Sequence, residues 1–272
     1  LDILNQYRQL LKQLNVRGHI NLTGGEPLCS PHFYRLLEEF KKDADLYSFS
    51  ILTNGTLITE EVARKIASYS PEYVQVSLEG GRRTNDYIRG KGVYSKVAKA
   101  IKYLKKAGIF VSVSFTATRI NYKEFPKLVR FAKRNMVDNV WSDRYIPLGE
   151  NKAFEEKSNE NITSKNRDMM LVEIENDDFD ITYKNKKNDL CMTKEETQEY
   201  LSIMAEQRSW LKKIGAPTTV AMYRALQFQH TNDYAYRCTA GDSLLTVMEN
   251  GDLVPCRRMP IVVGNLLKEN MY

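Results

Sequence analysis

At 272 residues, with 42% hydrophobic side chains and 27% charged ones of both signs, the chain has material for one large domain and a smaller appendage. A net charge of +6 is mild over this length and fits a solvated surface, whereas a nucleic-acid footprint needs charge gathered on a patch or stripe. No stretch approaches the ~20 apolar residues of a membrane span, and the four unevenly spaced cysteines do not form a secreted disulfide framework; the expectation is a cytoplasmic protein with neither membrane nor nucleic acid as partner.

The chain opens on Leu1-Asp2-Ile3, with no initiator Met and no signal pattern, as an internal cut would. Ile3, Leu4, Tyr7, Leu10, Leu11 and Leu14 recur at helical spacing, and Gly18 leads into the run His19-Ile20-Asn21-Leu22. Ser30-Pro31 reads as a cap and first-turn proline, opening a helix that points Phe33, Leu36, Leu37 and Phe40 inward. Phe49–Leu52 reads as a strand, and Thr59-Glu60-Glu61 starts a helix with its acids at the favourable dipole end. Tyr73–Leu78 alternates as a strand; a helix carrying Tyr94, Val97, Ile101 and Leu104 follows and stops at Gly108. Ile109–Thr116, a helix around Phe125–Ala132 and a strand near Val140–Ile146 complete the series.

Five strands, near residues 20, 50, 75, 112 and 142, thus alternate with helices. Repetition at about thirty residues implies parallel strands joined by right-handed crossovers, as an open sheet or most of a barrel. Because the chain starts on a helix, a preceding strand is expected to be absent, and six strands would make a partial (β/α)6 TIM-like barrel. Residues 150–190 turn polar and read as a loop or insertion packed across the barrel. Helical spacing returns over Glu195–Leu211, and Leu244–Met248, Asn250-Gly251 and Leu253-Val254 form a hairpin pattern. The expected divisions are a barrel core over 1–150, an insertion and helical bridge over 151–232, and a small β-rich unit over 233–272.

The segment that carries most chemistry is Leu22-Thr23-Gly24-Gly25-Glu26-Pro27-Leu28, directly after a strand. Paired glycines let the backbone turn tightly and approach a ligand, Glu26 offers an acceptor for an ammonium group, and Pro27 stiffens the exit. Parallel α/β folds bind ligands at this end of their strands. Alone, the segment is equally an ordinary turn with a surface glutamate; likewise Ser77 alone is a strand-end cap and Arg89 a surface arginine.

The segment resembles the Gly-Gly-Glu-Pro motif of radical S-adenosylmethionine (SAM) enzymes, and further matches follow in that family's order. They are Thr53-Asn54-Gly55, Ser77-Leu78-Glu79-Gly80, Tyr87-Ile88-Arg89-Gly90 and Arg144-Tyr145-Ile146-Pro147-Leu148-Gly149. The resemblance implies that Gly24, Gly25, Glu26 and Pro27 bind the SAM amino group and that Ser77 and Arg89 hold its carboxylate. Thr53 would lie close by, and the backbone near Leu148 would contact the adenine. A hydroxyl and a guanidinium fork are suited to a carboxylate.

Cys238 and Cys256 flank the hairpin, with Gly251 four residues before the second. Two thiolates brought together this way suit an iron–sulfur cluster or zinc; two buried structural cysteines are the other reading. The spacing resembles the start of the SPASM motif, and Gly264-Asn265 matches its usual Gly-Asn pair. By that resemblance Cys238 and Cys256 are metal ligands of an auxiliary [4Fe–4S] cluster. Cys29 and Cys191 match no motif and are expected to be packed thiols.

The family's Cys-x3-Cys-x2-Cys loop, which holds the catalytic [4Fe–4S] cluster, has no match here. The chain is therefore expected to be an excerpt of a longer protein whose cluster ligands lie outside it, the alternative being a degenerate member unable to cleave SAM. The resemblance implies reductive cleavage of SAM to a 5′-deoxyadenosyl radical, fed by flavodoxin or ferredoxin, and modification of a peptide or protein, with no residue singled out as catalytic acid or base. Formylglycine generation on sulfatases is a narrower alternative, weakened because Arg257, not the usual Asp, follows Cys256. A non-catalytic SAM- or peptide-binding scaffold is the rival from another class.

Overall fold

In the computed structural model, which describes residues 1–146, 190–222 and 239–271, the alternation of strands and helices resolves into one parallel sheet. Strands β1 (Gly18–Leu22), β2 (Tyr47–Thr53), β3 (Tyr73–Ser77), β4 (Val111–Ala117), β5 (Asn139–Arg144) and β6 (Thr219–Met222) lie side by side in chain order. All neighbouring pairs are parallel. The helices are α1 (Asp2–Leu14), α2 (Phe33–Lys42), α3 (Glu60–Ala67), α4 (Arg82–Arg89), α5 (Val93–Lys106), α6 (Phe125–Arg134) and α7 (Lys194–Lys213). Sequential order with crossovers of one hand puts the helices on one face of the sheet and leaves the other face open.

The two faces differ in chemistry. Val74 and Val76 of β3, Val111, Val113 and Phe115 of β4, and Val140 of β5 are fully buried against the helices. Val97, Ala100, Ile101 and Leu104 of α5 meet them at helical spacing, also fully buried. Each such side chain contributes roughly 1.5–3 kcal/mol on leaving water. Alternate residues point to the open face and are mostly polar, Leu52 and Trp141 being exceptions. There Tyr73 donates its hydroxyl to Asn21 at 2.9 Å, His19 meets Ser48 at 2.7 Å, and Asn139 donates to Ser112 at 3.1 Å.

Helix boundaries follow from local signals. Thr59 caps α3 by accepting from Val62 N–H at 3.2 Å. Thr193 and Glu196 form a reciprocal capping box on α7. Ser30-Pro31, expected to open α2, instead forms a turn before it: Ser30 Oγ accepts from His32 N–H at 3.3 Å and the helix begins at Phe33.

Helix α4 and strand β6 were not foreseen. Helix α4 buries only Asn85 and so carries no apolar stripe to read. Strand β6 has four residues and continues the sheet from β5, so six strands come from this chain where five were expected. It lies in the segment assigned to the bridge, and α7 packs before it, with Tyr200 and Met204 fully buried. The expected polar insertion, apart from Leu190, falls outside the described residues.

A separate sheet stands at the C-terminus. β7 (Thr246–Val247), β8 (Asp252–Val254) and β9 (Gly264–Asn265) pair antiparallel. The expected hairpin is present, and Gly264-Asn265 supplies its third strand. Gly251 sits at φ +84°, where an added Cβ would lie 2.6 Å from Leu267.

Candidate functional site

The C-terminal ends of β1, β2 and β3 bring most of the expected residues together. After β1 the chain passes through Thr23, Gly24 and Gly25 to Glu26, which caps the short turn Pro27–Cys29. The Glu26 carboxylate is held firmly: Oε1 accepts from Thr53 Oγ1 at 2.6 Å and Leu28 N–H at 3.3 Å, and Oε2 accepts from Asn54 N–H at 2.7 Å. Thr53, 4% exposed, thereby joins Glu26. A carboxylate offers about four lone-pair sites, so three bonds leave room for a cationic ligand. Gly24, at φ +142°, and Gly25 are exposed, and a Cβ built on either meets nothing within 4 Å. Pro27 is buried beneath them.

The β2–α3 turn is fixed from within. Thr53 Oγ1 accepts from Gly55 N–H at 2.9 Å, and Asn54 Oδ1 accepts from Thr56 N–H at 2.8 Å. Gly55 adopts φ +75°, and a Cβ there would come 2.6 Å from Val76. The wall beside Glu26 is therefore set by backbone geometry that only glycine supports at this point.

At the end of β3, Ser77 is half-buried and Glu79 is 3% exposed. Arg89, the last residue of α4, donates from Nε at 3.2 Å and from Nη2 at 2.5 Å to one oxygen of Glu79. The other oxygen accepts from Thr116 N–H at 2.8 Å. Burial holds the Glu79 carboxyl above its ordinary range, against the opposing pull of Arg89 and the Thr116 N–H. Arg89 is thus not a free surface arginine but half of a pair that sequence reasoning missed. Glu79 stood inside the quoted Ser77–Gly80 motif, which was the available signal.

At the end of β5, Asp143 is 1% exposed and receives Arg258 Nη1 at 2.9 Å. Burial raises the Asp143 carboxyl and Arg258 opposes that shift. Next to it Ser142 and the buried Tyr200 hydroxyl meet at 2.5 Å. Arg144 Nε is buried without a hydrogen-bond partner, beside a cavity of about 140 Å³ lined by Arg144, Tyr145, Ile146, Cys191 and Met192. Leu148, the expected adenine contact, lies outside the described residues.

Of the two cysteines expected to hold an auxiliary cluster, one is described. Cys256 accepts from Arg258 N–H at 3.4 Å and is half-buried, and Cys238 lies outside the described residues. Cys29, expected to be packed, is exposed, because the turn after Glu26 runs along the rim; Cys191 is half-buried. Among the described residues no three His, Cys, Asp or Glu side chains gather to hold a metal ion.

Residues 2–132 match the family described as the Radical SAM superfamily. The mycofactocin maturase MftC of Mycobacterium tuberculosis is 35% identical over 118 residues, 43% of this chain and 30% of that protein. The AdoMet-dependent heme synthase of Methanosarcina barkeri is 25% identical over 252 residues, 91% of this chain and 65% of that protein. Among solved structures, Streptococcus suis SuiB bound to S-adenosylmethionine superposes with a TM-score of 0.68 at 16% identity, covering 98% of this chain and 57% of that one. SuiB has also been solved bound to its precursor peptide SuiA. At that identity the likeness establishes the fold. The chain spans less than two thirds of each of these proteins.

Proposed function

The chain carries a radical SAM domain over residues 2–132, and from that premise we propose that it binds SAM at the ends of β1–β3 and serves in the modification of a peptide or protein. One observation carries the binding reading: a carboxylate pinned by Thr53 and Asn54 beside two open glycines. The donor set fits SAM. Glu26 and the Gly24–Gly25 backbone would accept from its ammonium group, Ser77 and Arg89 would donate to its carboxylate, and the chain near Leu148 would contact its adenine. Bound SAM supplies a hydrogen-abstracting radical when it is reductively cleaved.

What this chain contributes is position. Thr53 and Asn54 hold Glu26 in one rotamer, so the ammonium is received without reordering the side chain. Gly24 and Gly25 allow ligand atoms against the backbone, which a Cβ would obstruct. The [4Fe–4S] cluster characteristic of the family has no ligand set among the described residues. Cys238 and Cys256 would be the first two ligands of an auxiliary cluster, and the electron donor would be a flavodoxin or ferredoxin.

The peptide reading is supported by the maturase MftC and by SuiB with its precursor peptide. The open face of the sheet agrees with it: His19, Asn21, Ser48, Ser112 and Asn139 offer hydrogen bonds that an extended polypeptide can use. A tetrapyrrole is the second reading, favoured by the length of the match to the heme synthase.

The test is calorimetric titration of the chain with SAM. Glu26→Gln should weaken binding by about tenfold or more, the worth of a charge-assisted hydrogen bond, while the melting temperature stays within a degree or two. Unchanged affinity in Glu26→Gln would sink the site. For the reaction, protein that includes the cluster-binding cysteine loop, reconstituted anaerobically with iron and sulfide, should form 5′-deoxyadenosine faster with a peptide substrate, and stimulation by a tetrapyrrole instead would overturn the peptide reading.

A further inference from the structure

We propose that Glu79 is the positioning residue for Arg89: it grips two nitrogens of the guanidinium so that the third, Nη1, is presented to the carboxylate of SAM. This rests on the SAM reading of the site and deepens it.

The pair is lopsided in a way that stability does not explain. Glu79's side chain is 4% exposed and Arg89's is 28% exposed, so the carboxylate is sunk in the fold while the guanidinium reaches the surface of the site. Burying a carboxylate costs free energy, and replacing a buried ion pair by apolar side chains is often neutral or stabilising. A sequence selected for stability alone has little use for this arrangement. It makes sense where the exposed half has a task.

Three elements set the place of the Glu79 carboxylate. Its backbone N–H donates to Asn85 Oδ1 of α4 at 2.9 Å, and its carbonyl accepts from Asn121 Nδ2 at 3.4 Å. Asn121 is itself locked, donating to Thr116 O at 3.0 Å and accepting from Thr118 N–H at 2.7 Å. Glu79 Oε2 then takes Thr116 N–H from β4, which leaves Oε1 for Arg89. Glu79 is therefore fixed before Arg89 is considered.

The guanidinium is a rigid planar fork with five N–H groups. Holding Nε and Nη2 on one oxygen removes its freedom to turn about the last side-chain bond and so fixes where Nη1 points. Among the described residues Nη1 bonds to nothing. Glu79 also stands two residues beyond Ser77, just past the end of β3. A donor fixed in advance binds at lower entropic cost than one ordered by the ligand.

The experiment pairs a protein change with a ligand change. Glu79→Gln keeps an oxygen for Thr116 N–H and removes the charge that grips Arg89. Calorimetric affinities are measured for SAM and for decarboxylated SAM, which lacks only the carboxylate. The expected result is a loss of about tenfold or more for SAM with decarboxylated SAM binding to both proteins alike. Arg89→Ala should give the same selective loss, and the double variant no further loss. Equal weakening of both ligands by Glu79→Gln would overturn the proposal, since it would mark Glu79 as structural. Undiminished SAM affinity in Glu79→Gln would overturn it as well. Should Glu79→Gln fail to fold, Glu79→Asp keeps the charge but cannot reach Arg89 and Thr116 together. Its loss must again be confined to SAM, and wild-type affinity for both ligands in Glu79→Asp would overturn the proposal. A wild-type chain that binds neither ligand would overturn the SAM reading itself, and this inference with it.

Discussion

The parallel sheet buries its helix-facing side in one continuous core that runs from Leu4 to Val220, whereas the sheet of β7, β8 and β9 buries Val254 and Leu266 and leaves Val247, Ile261, Val262 and Val263 in solvent. The first region is stable because each βα unit adds apolar side chains to a shared interior. The second is too small for an interior of its own and depends on what it touches. Among the described residues it is tied to the barrel by Gln6, which donates to Leu266 O at 3.0 Å and accepts from Met271 N–H at 2.9 Å, and by Arg258, which reaches Asp143. Order in the C-terminal unit is borrowed from the barrel.

Charge placed in each region should break this contrast most visibly. Val113 is fully buried between Val76 of β3 and Val140 of β5, so Val113→Asp should cost at least about 4 kcal/mol and abolish cooperative melting. Val247→Asp, at a position 39% exposed on β7, should cost under about 0.5 kcal/mol. A denaturant titration of both variants measures the difference; similar costs would deny that the two sheets stand by different means.

A middle-sized effect should follow from cutting the tie. Arg258→Ala leaves the Asp143 carboxylate buried and unpaired at a cost of about 2 kcal/mol, below the range for fully buried pairs because Arg258 is 42% exposed. Hydrogen exchange should quicken across 246–265 and not across β2–β4. Because burial already raises the Asp143 carboxyl, the folded protein holds its proton more tightly than the unfolded chain does. Protonated Asp143 needs no partner. The penalty of Arg258→Ala should therefore vanish below about pH 4, near the ordinary carboxyl value, and grow as pH rises through the raised folded value. A penalty independent of pH would show that the pair is not what joins the regions.

The smallest effect sharpens the comparison from the barrel side. Thr193→Ala removes half of the capping box of α7 and should cost about 1 kcal/mol. A shared core spreads that loss, so exchange in the C-terminal unit should stay at the wild-type rate. Loosening of β7–β9 by this distant cap would mean that the regions are coupled more tightly than the Gln6 and Arg258 contacts allow.

Much of the barrel was legible because its code is local. Period-2 and period-3.6 runs, separated by Gly18, Thr59 and Gly108, name the strands and helices in turn. The Gly24–Pro27 segment and the Asn250-Gly251 turn are equally local, and both stand where the sequence puts them. What stayed hidden depends on partners. Strand β6 is four residues long and is defined by its pairing with β5, not by any pattern of its own. Helix α4 buries only Asn85, so no apolar stripe marks it in the sequence. That Arg89 would close on Glu79, or Arg258 on Asp143, follows from which strand ends the fold brings together, and side-chain type alone does not reveal it. The exposure of Cys29 has the same origin: the thiol is ordinary, but its turn runs along a rim.

The order of the six strands has a consequence for how the molecule is made. Each strand from β2 to β6 pairs with the strand delivered immediately before it. During synthesis the sheet can therefore lengthen at one edge as the chain emerges, with no strand waiting for a distant partner and little loop entropy to overcome at any step. The contacts of Gln6 with Leu266 and Met271, far apart in sequence, come after those strands are made. Among the described elements the C-terminal sheet is thus the last to gain its order, and it does so against strands already in place.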